Sequence, residues 1–223
     1  MAKKKKENKP KKKLDHETKQ LIWVLVVIII IFAAFMVPYF YIQSLKKFEL
    51  YGVDWYIEKS AGQGPTFYHA MIPKIYQGVV SGTHNVYLRN DPRDNHIPTD
   101  INVSFNKNVI VTQDPRVYDC PDAILVSNAL GQILALFPRV VTNVSGAVSD
   151  KAKAELWSLP FADCSSAKKG TTVLLVTFGE KTSVTQSGDC YIMTLDKCSD
   201  NLPVAERFVM EIVDQLNYTK AKE

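Results

Sequence analysis

An uncharged run over residues 21–42 constrains this chain more than any other feature. At about 1.5 Å per residue, 22 residues make a helix of roughly 33 Å, enough to cross a hydrocarbon core of about 30 Å. The centre of the run, 24–31, is Val, Leu and Ile throughout. Such a β-branched stretch does not favour a helix in water. Lipid imposes one, because no solvent remains to satisfy the backbone. Trp23 marks one end, and Tyr39, Phe40 and Tyr41 mark the other, as interfacial aromatic belts do.

The flanks set an expected orientation. Residues 1–20 hold nine Lys (3–6, 9, 11–13 and 19) against Glu7, Asp15 and Glu17, a net of +6. Lys-rich flanks stay in the cytoplasm, so the N-terminus is expected there and everything after residue 42 outside. The run exceeds the ~7–15-residue apolar core of a cleaved signal peptide, and no A-x-A site follows it. It therefore reads as a single-pass signal anchor in the cell membrane. The expected organisation is a disordered cytoplasmic tail (1–20), a transmembrane anchor (21–42) and an extracytoplasmic α/β domain (43–223).

Taking the tail's charges from the chain's 27 basic and 23 acidic residues leaves 18 and 20 beyond the anchor. A slightly acidic domain is not a basic nucleic-acid binder, and no aromatic interrupts the basic stretch to stack on bases. The expected partners are the lipid bilayer and a protein in or at the membrane.

All four cysteines, Cys120, Cys164, Cys190 and Cys198, fall on the expected outer, oxidising side, where an even count favours disulfides. There is no C-x-x-C motif. Three pairings are open. If 190–195 is extended, its six residues already span about 20 Å. Bridged Cα atoms lie about 5.5–6 Å apart. Bridges from 120 or 164 to the 190/198 pair are therefore favoured, although a reversal at Asp196-Lys197 would still allow 190–198. Three glycosylation-type sequons, at Asn102, Asn143 and Asn217, lie on the same expected side.

Periodicity beyond the anchor predicts an α/β or α+β fold: one transmembrane helix followed by a mixed-sheet domain with two long helices. Residues 48–59 alternate apolar and polar as one strand, with Val53, Trp55 and Ile57 on one face. Further strands are expected at 66–72, 86–89, 101–105, 109–112 and 140–144. The run 172–178 is apolar throughout, as a central strand is. A meander follows, with later antiparallel strands near 182–186 and 190–195. Helical spacing predicts a helix over 121–137, capped by Asp119 and stopped by Pro138, and a short one over 151–157. A final helix, capped by Ser199 or Asp200, buries Val204, Phe208, Val209, Ile212, Val213 and Leu216. The unit 109–112, 121–137, 140–144 has the form of a βαβ crossover.

The segment 113–120 follows a strand and opens a helix, the position that ligands favour in α/β sheets. Arg116 and the helix N-terminus there suit an anion, Asp114 and Asp119 are candidate acid/base groups, and Cys120 is a candidate activated thiol. The same residues also suit a capped turn with Cys120 in a disulfide. Histidines 69, 84 and 96 have no zinc-ligand spacing, and there is no H-E-x-x-H, P-loop, G-x-S-x-G or G-x-G-x-x-G. Ser165-Ser-Ala-Lys168, Lys181-Thr-Ser183 and Ser199-Asp-Asn201 look like elements of penicillin-recognising enzymes. Their order is wrong and they fall within 37 residues. No metal or cofactor is expected.

The string Cys190-Tyr191, Cys198 and Glu206-Arg207-Phe208, after a hydrophobic strand and a Gly turn, resembles uncharacterised archaeal membrane-anchored ectodomains over roughly 109–217. The resemblance implies an anchored outer domain and no activity. The expected function is an anchored extracytoplasmic binding or surface-complex protein. The alternatives are an anchored hydrolase or thiol enzyme using the 113–120 loop, and a small-ligand sensor or transport accessory.

Overall fold

The computed structural model describes residues 16–60, 62, 64–76 and 79–216. Most of the Lys-rich tail and the sequon at Asn217 lie outside them. The chain divides into two compact units, Met1–Lys46 and Lys47–Glu223. The first holds helix α1 (His16–Ser44), so the last five residues of the expected tail are helical. Within it, Thr18–Ser44 is long and apolar enough to cross a membrane, and its large apolar residues other than Met36 are exposed.

The second unit is a mixed α/β domain with two sheets where one was expected. The first is antiparallel, ordered β1-β2-β3-β4, from β1 (Lys47–Leu50), β2 (Val53–Lys59), β3 (Thr66–Tyr76) and β4 (Val79–Leu88). The alternating run 48–59 is not one strand. It folds back at Tyr51-Gly52, both at positive φ (56° and 70°), so that Leu50 pairs with Val53. Two successive positive φ values make the tight two-residue reversal. Gly52 adopts it freely, whereas Tyr51 is held there by what surrounds it. The Trp55 indole N–H donates to the Leu50 carbonyl at 3.3 Å, and Phe48 stacks on Trp55. Pro73 of β3 lies past Ala70, where pairing with β2 ends, so its missing N–H breaks no ladder on that side.

The second sheet is ordered β5-β9-β10-β8-β6-β7. Its strands are β5 (Thr99–Asp100), β6 (Asn108–Gln113), β7 (Asn143–Val148), β8 (Thr171–Phe178), β9 (Ser183–Ser187) and β10 (Cys190–Leu195). The expected meander is corrected here: β10 inserts between β9 and β8 and runs parallel to β8. The apolar faces explain the insertion. Leu174 and Val176 of β8 and Tyr191, Met193 and Leu195 of β10 are all buried, whereas β9 buries only Val184 and suits a place nearer the edge.

Helices α2 (Ala123–Leu134), α3 (Lys151–Trp157) and α4 (Asn201–Gln215) complete the domain. β6, α2 and β7 form the expected βαβ unit with β6 and β7 parallel. β7 starts later than 140 because the Val140 and Val141 N–H groups bond back to the Phe137 carbonyl. α2 is N-capped at Asp122, not Asp119, which instead ends a 3-10 helix over Pro115–Asp119. The two long helices pack on each other, α2 against β4 and α4 against β9 and β10. Trp55, Ile72 and Leu88 of one sheet, Leu130 and Ile133 of α2, Phe208 and Ile212 of α4, and Leu174 and Met193 of the other sheet form one buried cluster. α4 is buried on more than one face, including Glu206, because both sheets draw on it.

Residues 101–105 alternate like a strand but belong to neither sheet. Side chains satisfy their backbone instead. The Gln215 amide accepts from the Val103 N–H and donates to the Ile101 carbonyl, both at 2.7 Å, as a neighbouring strand would. Gln186 Oε1 accepts from the Asn102 N–H at 2.7 Å, and the Tyr191 hydroxyl accepts from the Ser104 N–H at 2.6 Å.

Candidate functional site

The 113–120 segment runs from the end of β6 through the 3-10 helix to the start of α2. Asp114 caps that helix: its Oδ1 accepts from the Arg116 N–H at 2.9 Å and from Nε at 3.0 Å, and its Oδ2 accepts from Nη2 at 2.7 Å. The Arg116 guanidinium, which also lies over the Phe178 ring at 5.1 Å, holds the Asp114 carboxyl below its ordinary pKa. The fork expected to receive an anion is thus spent on a residue two positions away. Asp119 is exposed at the end of the turn.

Cys120 is 4 % exposed and joined to Cys198 by a disulfide, as the capped-turn reading expected and not as an activated thiol. The reason is topological. Each cysteine lies three residues before a long helix, Cys120 before α2 and Cys198 before α4, and the two helices pack together. The bridge ties their starting ends. The second bridge, Cys164–Cys190, ties the 3-10 turn Cys164–Ser166 to the first residue of β10. Nearby, the Thr112 hydroxyl donates to the Ala162 carbonyl at 2.7 Å and the Ala162 N–H donates to the Val148 carbonyl at 3.1 Å, so the 162–166 segment is fastened to the sheet at three points.

Sequence reasoning missed Glu206. It is 2 % exposed, and loop residues after β4 surround its carboxylate. Oε1 accepts from the Arg89 N–H, and Oε2 accepts from the Asn90 N–H at 3.2 Å and Nδ2 at 2.7 Å. Burial raises its pKa, and these donors oppose the rise in part. The available signal was a Glu inside the buried helix, but a 3.6-residue stripe assigned position 206 to the polar side. A cleft of about 490 Å³ opens beside it, lined by Glu58, Lys59, Arg89, Asn128 and Gln132 among others. The Glu206 carboxylate itself is committed to the backbone of β4 and its loop.

A second polar cleft, of about 410 Å³, gathers Asp91, Asp94, His96 and Asp200. Asp91 is held by Arg93 in the same bidentate form as Asp114 by Arg116, and its pKa is lowered by that hydrogen bond. Asp200 Oδ2 accepts from the Thr182 hydroxyl. Among the described residues no group of three or more His, Cys, Asp and Glu is placed to hold a metal. The sequon residues Asn102 and Asn143 are both exposed.

Compared with protein-family models, curated proteins and solved structures, the chain matches none of them.

Proposed function

We propose that this is a single-pass, membrane-anchored protein with a cytoplasmic N-terminus, whose extracytoplasmic domain binds a protein partner at the membrane surface. One observation carries the proposal: a 27-residue apolar helix with outward-turned side chains precedes a domain closed by two disulfides. A water-soluble helix buries at least one apolar stripe, whereas α1 leaves apolar side chains exposed all round, as a lipid-facing helix does. Disulfides persist in oxidising compartments, so the two bridges support an extracytoplasmic position for the domain. The Lys-rich flank before α1 orients it the same way.

The domain's own chemistry favours binding over catalysis. Its nucleophile candidate is oxidised, and Asp114 and Arg116 neutralise each other. Two experiments bear on the two halves of the proposal. Alkaline carbonate washing should leave the full chain in the membrane pellet; release into the supernatant would overturn the anchor. Proximity labelling from the C-terminal end should mark membrane neighbours with outer-side domains; labelling confined to cytoplasmic proteins would overturn the placement of the domain.

A further inference from the structure

β7 is an edge strand of the second sheet. Backbone groups in a ladder alternate in direction, and Val148 shows which residues of β7 turn outward. Its N–H donates to the Pro160 carbonyl at 2.9 Å, and its carbonyl accepts from the Ala162 N–H at 3.1 Å, on the side away from β6. Val144 and Gly146 share that parity. Among the described residues, their outward N–H and C=O groups have no partner. The edge of the first sheet is treated differently: Gln132 Oε1 takes the Tyr87 N–H of β4, and Glu206 takes the N–H groups that follow it.

Beside the open edge lies a groove of about 470 Å³ between β7 and α2. Gly131 of α2 and Gly146 of β7 both line it, and a Cβ at either would meet open space. Neither has positive φ. Glycine weakens the interior of a helix or strand, and nothing inside this chain requires it at either position. Gln113, only 2 % exposed, also lines the groove. Its Nε2 donates to Ser127 Oγ at 3.0 Å, and its Oε1 has no partner. Exposed apolar side chains gather on β7 and on the elements flanking it in the chain: Tyr118, Ile124, Val144, Leu156, Trp157 and Leu159. Unpaired edge groups, vacant glycine positions and apolar surface together describe a strand-docking site.

We propose that the occupant is a second copy of this chain, with β7 pairing antiparallel to β7 across a two-fold axis at Ser145. In that register Val144 faces Gly146 of the second copy, and Gly146 faces its Val144. All four free groups on each copy are then used. Val144 and Gly146 pair with Val109 and Val111 of β6, which packs its Val109 into the buried cluster, so both lie on the helix-facing side. There the half-exposed Val144 side chain covers the vacant Cβ position of Gly146. The neighbouring registers fail. One sets Val144 against Val148, whose groups are already bonded. The other sets Gly146 against Thr142, which lies before the strand and bonds to the Lys107 carbonyl at 2.9 Å. The interface is isologous and closes as a dimer. It needs only the domain's own edge, so it stands or falls apart from the membrane reading above.

The test uses the purified full chain in detergent, oxidised with copper phenanthroline. In a non-hydrogen-bonded antiparallel pair, facing Cβ atoms approach to about 4.5 Å, the long end of the range that a disulfide spans. Ser145→Cys should give at least about ten times more reducible dimer than Thr185→Cys, an exposed site on β9, with peptide mapping showing a 145–145 link. Adding Gly146→Pro should lower that yield about tenfold. It removes an outward N–H that the β6 ladder does not use, and edge strands tolerate such a proline. Equal dimer yields from positions 145 and 185, or a yield unmoved by Gly146→Pro, would overturn the pairing. So would a position-145 cross-link in native membranes to a protein of different mass, which would assign the edge to a foreign strand.

Discussion

Tyr191 has its ring in the core and its hydroxyl on the backbone of the 101–105 segment. The ring contacts Phe105 and Phe208, and the hydroxyl meets the Ser104 N–H at 2.6 Å and its carbonyl at 2.8 Å. Tyr191→Phe keeps the ring and removes those bonds. It should cost about 1 kcal/mol in urea unfolding and speed amide exchange at Ser104. Glu206 gives a pH signature of its own. Its folded pKa is raised by burial, so the native state keeps this proton to higher pH than the unfolded chain does. The resulting stability is fully present below the ordinary glutamate pKa and is lost as pH rises through the folded value. Unfolding midpoints of wild type and Glu206→Gln, measured from pH 4 to 8, should therefore show wild type losing stability relative to the variant as pH rises. A difference that stays level with pH would contradict the assignment.

The two disulfides act between elements. Cys120–Cys198 closes a separation of 78 residues and Cys164–Cys190 one of 26. Chain-entropy reasoning gives about 4–5 kcal/mol for the first and about 3–4 kcal/mol for the second. Paired Cys→Ala replacement should lower the unfolding free energy in that order, with the 120/198 variant the weaker protein. The preference for bridges reaching the 190/198 pair rested on an extended 190–195, and β10 occupies that span. Helices were equally legible: the short helix expected over 151–157 is α3, and the expected stripe of α4 is buried apart from a partly buried Leu216.

Alternation alone was a poorer guide to strands. It concealed the reversal at Tyr51-Gly52, because tyrosine is no turn former; its hydroxyl accepts from the distant Arg207 guanidinium at 3.0 Å. It also promoted 101–105 to a strand, although long-range side chains from Gln215, Gln186 and Tyr191 supply the partners there. The 113–120 loop was placed correctly at the end of a strand. Its chemistry was not legible, because the Asp114–Arg116 pairing and the Cys120 bridge depend on which neighbours the fold delivers.

At the scale of the whole molecule, the apolar helix and the disulfide-closed domain are separate compact units. Charge divides the same way, with a net of +6 in residues 1–20 and a slight acidic excess beyond the apolar run. The central claim is that the membrane separates these two charges. Protease protection on sealed vesicles, cytoplasmic face outward, tests it most directly. The account predicts that residues 47–216 stay intact until detergent opens the vesicles, while an epitope placed at the N-terminus is lost at once. Digestion of the domain in sealed vesicles, with the N-terminal epitope protected, would contradict it.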